Sequence, residues 1–140
     1  MKKKLFAEAL GTMTLVLLGC GAAVFNGGAT SVAAVLTIAF AFGLSVVAMA
    51  YTIGGISGCH INPAITLGVW LSGRMPGKEA VGYMAAQVAG AIAGSAIIWA
   101  VANTGTVALG ATATGANGFS EGNLVPALIA EVVPSLSGTA

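Results

Sequence analysis

The sequence predicts an all-α membrane protein, built from three transmembrane helices, a re-entrant half-helix and the start of a fourth helix. Three observations predict it. The 140 residues are 57% hydrophobic and only 6% charged, against roughly 25% charged in a soluble domain, so polar groups are too few to cover a water-facing surface. Apolar stretches recur at about 20 residues, the length that crosses a hydrocarbon core of roughly 30 Å. One further apolar stretch is only about half that length and lies between two full ones.

The first span is expected at about residues 5–25. Lys2, Lys3 and Lys4 precede it, a pattern shared with signal peptides, but the apolar run is too long for a signal-peptide core and contains Glu8. It reads as a retained helix whose basic flank sits on the cytoplasmic side, against anionic headgroups. Residues 26–31 carry no base and suit the outside. The second span, about 32–53, returns to the cytoplasm. A third span is expected at about 80–101, an external base-free loop at about 102–123, and a fourth helix from residue 124. Gly90 and Gly94, with Gly82, Ala86, Ala89 and Ala93, let the third span approach its neighbours closely.

The segment at about 54–71 is the informative one. Arg74 and Lys78 follow it, and the positive-inside rule wants them cytoplasmic. Were Ile61 to Leu71 to cross, they would be outside. Charge and length together predict a half-helix that enters and leaves on one side. Its approach, Gly54 to Gly58, is expected to be non-helical backbone, which survives at membrane depth only against protein or a water-filled cavity.

Asn62-Pro63-Ala64 opens the half-helix. Asn is a favoured N-cap and Pro a favoured first helical residue. With the Asn62 side-chain oxygen used as the cap, its NH₂ group is left as a fixed donor for the oxygen of a passing water. The helix start carries about half a positive charge, which opposes cations and leaves neutral water unaffected to first order. Carbonyls of Gly58, Cys59, His60 and Ile61 can supply acceptors along the approach.

Ser57-Gly58-Cys59-His60-Ile61-Asn62-Pro63-Ala64-Ile65-Thr66 resembles the first NPA loop of aquaporins, where S-G-x-H-x-N-P-A-V-T is usual. The flanks match in order and spacing: Ala7-Glu8-x-x-Gly11-Thr12, Ala41-Phe42-Gly43-Leu44, and Gly82-Tyr83-x-x-Ala86-Gln87. The resemblance covers residues 5 to about 133 and is nearest the bacterial water-channel branch. It implies an aquaporin-like first repeat with water as permeant, lipid as surroundings, a bacterial plasma membrane location, no cofactor and a homotetramer. By position it implies pore-lining roles for Asn62, Pro63, Ala64, Gly58, Cys59, His60, Ile61 and Phe42. It makes Glu8 and Gln87 supports of the loop, with Glu131 the counterpart acid in the fourth helix. Cys59 replaces a usual Gly or Ala; its thiol faces either the pore, where mercurials would reach it, or the packing. Cys20 reads as a buried thiol.

The family's second NPA and constriction arginine have no counterpart in these 140 residues, and Pro134 to Ala140 is polar where apolar residues should follow. The expectation is a chain that conducts poorly or not at all alone, its end displaced by a frameshift or truncation. A small-polyol facilitator is the alternative within transport, against which Phe42 argues. A non-transporting membrane protein that associates with intact channel subunits is the alternative of another class. A net charge of +1 excludes a basic field for nucleic acid. No metal-ligand cluster or phosphate-binding Gly loop favours an enzyme.

Overall fold

A computed structural model describes residues 1–104, and within them the chain is four helices and their turns. α1 runs Lys2–Phe25, α2 Val32–Ser57, α3 Pro63–Leu71 and α4 Gly77–Thr104. At 1.5 Å per residue the three long helices reach ~36 to 42 Å, enough to cross a bilayer, whereas α3 reaches only ~14 Å. All three long helices are apolar enough to span. The external loop beyond Thr104, the fourth helix and Glu131 lie outside the described residues.

The helices extend past the apolar stretches that nucleate them. α1 begins at Lys2, α4 begins at Gly77 and continues to Thr104. The larger departure is at the end of α2. Gly54 to Ser57 is helical, so the expected non-helical approach shrinks to Gly58–Asn62. Two adjacent glycines lower helix propensity, but at membrane depth an unpaired peptide costs more than glycine entropy, so the helical ladder continues. It stops at Gly58, whose φ of +90° is the left-handed cap that ends α2 while its N–H still bonds the Gly54 carbonyl at 2.9 Å. α3 ends on a Schellman motif at Gly73 (φ +74°), with Arg74 N bonding Val69 O and Gly73 N bonding Trp70 O.

α1 is the central element, packed against both α2 and α4, while α3 packs against α4. Small residues set the separations. A β-carbon on Gly90 would collide with the backbone carbonyl of Ala9, and one on Gly94 would lie 2.9 Å from the Met13 carbonyl. Glycine at 90 and 94 therefore lets α4 touch the α1 backbone itself. On the other face of α1, Gly11 receives the side chains of Ile53 and Ile61, and Gly19 receives the Phe42 ring. One apolar cluster joins Ala7, Ile53 and Ile61; a second, toward the far end, joins Val24, Ile98 and Ala102.

The starts of α1 and α4 share one end of the molecule, where Lys4 Nζ lies 2.7 Å from a Glu79 carboxylate oxygen. The Trp70 indole near the end of α3 rests against Gly77. α3 thus runs from the loop held by Glu8 back to the end that carries Lys2, Lys3, Lys4, Arg74 and Lys78. α2 stays largely exposed, with Val32, Phe40, Leu44 and Tyr51 among its uncovered apolar side chains.

Candidate functional site

Five residues, Gly58–Asn62, join α2 to α3, and their backbone is unusual. Cys59 has φ +53° and Ile61 φ +42°, left-handed values at non-glycine residues. Each costs roughly 1–2 kcal/mol, and for a β-branched residue the conformation is an outlier. Such geometry persists only where its surroundings over-determine it.

The surroundings here are side chains that collect the loop's amides. Glu8 Oε1 accepts from His60 N at 3.0 Å and from Ser57 Oγ at 2.6 Å. Glu8 Oε2 accepts from Ile61 N at 2.7 Å and from Gln87 Nε2 at 2.7 Å. Ser57 Oγ in turn accepts from Cys59 N at 3.2 Å. Three successive amides are therefore satisfied by side chains from α1 and α2. Tyr83 donates its hydroxyl to the Ser57 carbonyl at 2.8 Å and pins the end of α2 to α4. Glu8, Thr66 and Gln87 are 0% exposed; enclosed polar groups of this kind must be paired, and among the described residues none is left without a partner.

The loop's carbonyls before Asn62 are left unpaired. With the amides turned toward Glu8 and Ser57, the carbonyls of Gly58, Cys59, His60 and Ile61 accept no hydrogen bond among the described residues. Asn62 caps α3 by accepting Ala64 N on Oδ1 at 2.8 Å, Pro63 follows at the first helical position, and Thr66 N bonds the Asn62 carbonyl. The Asn62 Nδ2 group has no partner among the described residues. Four unpaired acceptors thus precede, along the chain, one unpaired donor at the positive end of a short helix.

The remaining side chains take distinct places. His60 puts Nδ1 3.1 Å from Thr66 Oγ1 and meets the Tyr83 ring edge to face at 5.2 Å. Cys59 is half-buried against the Ala7, Ile53 and Ile61 cluster. Ala64 is half-buried on the first turn of α3. Phe42 is not brought to this constellation: it lies on α2 ~22 Å along the axis from Ser57, against Gly19. Ser57, Thr66 and Tyr83 carry more of the geometry than their places in the motif suggested. Their signal in the sequence is only that they are polar groups at membrane depth. Among the described residues no three His, Cys, Asp or Glu side chains converge on a metal position.

A family model described as Major intrinsic protein matches residues 1–137. Aquaporin Z of Rhodopseudomonas palustris is 45% identical over 139 residues, an alignment that covers 95% of this chain and 58% of that protein. The chain therefore spans little more than half the length of this relative.

Proposed function

We infer that this chain, which belongs to the major intrinsic protein family, builds one half of a water-conducting pore. The observation that carries the reading is the two-sided loop: its amides are tied to Glu8 and Ser57, and its carbonyls and the Asn62 NH₂ are free. Water entering such a path donates to the carbonyls of Gly58, Cys59, His60 and Ile61 and accepts from Asn62. No bond is made or broken, and passage is a sequence of exchanges between fixed dipoles. The positive end of α3, opened by Pro63 and Ala64, raises the energy of any cation there, hydronium included.

In this reading Glu8 and Gln87 are supports that hold the loop, and Glu131 is the counterpart of Glu8. Phe42, far from the loop along α2, contributes to an outer constriction. The chain sits in the cell membrane with its amino terminus and the Arg74–Lys78 turn on the cytoplasmic side. The exposed apolar face of α2 meets lipid or a neighbouring subunit of the homotetramer that the family resemblance implies. Identity to a protein named Aquaporin Z supports water over other solutes.

The test is a chimaera in which residues 1–104 replace the equivalent segment of the R. palustris relative. Proteoliposomes carrying it should shrink under osmotic stress clearly faster than protein-free liposomes. Asn62→Asp removes the donor, a loss worth about 1–1.5 kcal/mol, and should cut the excess rate roughly tenfold. A chimaera that inserts but shrinks at the protein-free rate, or one indifferent to Asn62→Asp, would overturn the reading.

A further inference from the structure

We propose that Gln87 and Thr66 form a relay that fixes His60 in the Nε2–H tautomer, so that the loop presents a second oriented donor ahead of Asn62. The placement of that donor in a water path rests on the pore reading above; the tautomer itself does not.

The direction of each hydrogen bond follows from the one before. A carboxylate only accepts, and Glu8 Oε2 lies 2.7 Å from the Gln87 amide, so the NH₂ end of Gln87 faces it. The same NH₂ reaches Thr66 Oγ1 at 2.8 Å and donates its second hydrogen there. Thr66 thus has one lone pair occupied and one hydrogen to place. Two acceptors are near: His60 Nδ1 at 3.1 Å and Gln87 Oε1 at 3.3 Å. The second belongs to the amide that already donates to the same oxygen at a shorter distance, and one planar amide cannot align both ends on one hydroxyl. The hydroxyl hydrogen therefore goes to His60 Nδ1. A neutral imidazole that accepts on Nδ1 carries its hydrogen on Nε2.

Nε2 is on the open side of the ring. It has no protein partner among the described residues, and no enclosed polar side-chain atom there is left unpaired. It lies beside Gly58, where even a β-carbon would come within 3.4 Å. The edge-to-face contact with Tyr83 holds the ring plane. The approach to α3 then offers four carbonyl acceptors with a donor at His60 and another at Asn62. An acceptor-only row would let a water molecule keep both its hydrogens toward the wall. A donor placed among the carbonyls makes it turn its oxygen to the wall before Asn62 is reached. Thr66 and Gln87 act here through His60 and are positioning residues.

His60 is the single histidine of the chain, so isotope labelling reads it without assignment. The 140-residue protein, labelled with ¹⁵N-histidine and reconstituted in lipid bilayers, is measured by solid-state NMR at a pH where the imidazole is neutral. The expected spectrum has one protonated nitrogen, Nε2, and one unprotonated nitrogen, Nδ1. Thr66→Val removes the hydroxyl and should convert the single tautomer to a mixture; Thr66→Ser keeps it and should restore the single species. An Nδ1–H tautomer in the unaltered protein overturns the proposal, as does a Thr66→Val spectrum unchanged from it. Should Thr66→Val not fold, the unaltered protein and Thr66→Ser still decide, since both must show Nε2–H. These spectra are read without any permeability measurement, so a chimaera that fails to conduct leaves them interpretable.

Discussion

Glu8 uses two oxygens to hold four donors, and no neutral side chain of its size can do the same. Glutamine at this position would turn an NH₂ toward two of them, leaving buried donors unpaired at about 1–3 kcal/mol each. Glu8→Gln should therefore lower stability by about 2–6 kcal/mol, read as a fall in the unfolding midpoint by circular dichroism in detergent micelles. Glu79→Gln is the matched comparison. Its partner Lys4 is 46% exposed, and surface pairs contribute about 0–1 kcal/mol, so the midpoint should barely move. Equal shifts in the two variants would mean that Glu8 is merely another acid. The left-handed backbone at Cys59 and Ile61 depends on the same carboxylate, because nothing in a cysteine or an isoleucine favours that conformation. That is also why it was not legible beforehand: the strain is imposed from Glu8, 53 residues away from Ile61.

Two glycines separate what contact does from what helix propensity does. Gly90 faces the Ala9 carbonyl, a backbone atom that cannot turn aside, whereas nothing lies within 4 Å of a β-carbon on Gly55. Gly90→Ala should push α4 off α1 and cost about 1–3 kcal/mol. Gly55→Ala should be neutral or up to about 1 kcal/mol stabilising. Unfolding in detergent mixtures checks both, and a Gly90→Ala as stable as the parent would remove the close crossing. Much of the element scale was written in the sequence. The Asn62-Pro63 opening marks the start of α3, and its few apolar residues mark it as too short to cross. The end of α2 was harder to read, since Gly54 and Gly55 look like breakers until the absence of solvent is taken into account. The Gln87–Thr66–His60 connection had no local signature at all. It joins the loop to α3 across 6 residues and α3 to α4 across 21, and only the fold brings them together.

At the scale of the whole molecule, all five basic residues belong to one end. Lys2, Lys3 and Lys4 open α1, and Arg74 and Lys78 flank the start of α4, next to the Lys4–Glu79 pair. Single cysteines placed in a chain lacking Cys20 and Cys59 test the resulting orientation. Lys3→Cys and Ser72→Cys should react with a membrane-impermeant maleimide only in inside-out vesicles. Thr30→Cys, between α1 and α2, should react only in right-side-out ones. Labelling of Ser72→Cys and Thr30→Cys from the same side would mean that Ile61 to Leu71 does cross.

The span between Glu8 and its last partner also sets an order of events at the ribosome. Gln87 is 79 residues downstream, and at about 5–20 residues per second it is made ~4 to 16 seconds after Glu8. Until Ser57 is made, 49 residues after Glu8, α1 holds an acid with none of its four donors, and until Gln87 is made the set stays incomplete. A helix in that condition gains little from settling early into hydrocarbon. Its final seat becomes favourable when Ser57, the loop amides and then Gln87 arrive. Of the four helices α1 is made before the others and is, on this account, among the last to be locked.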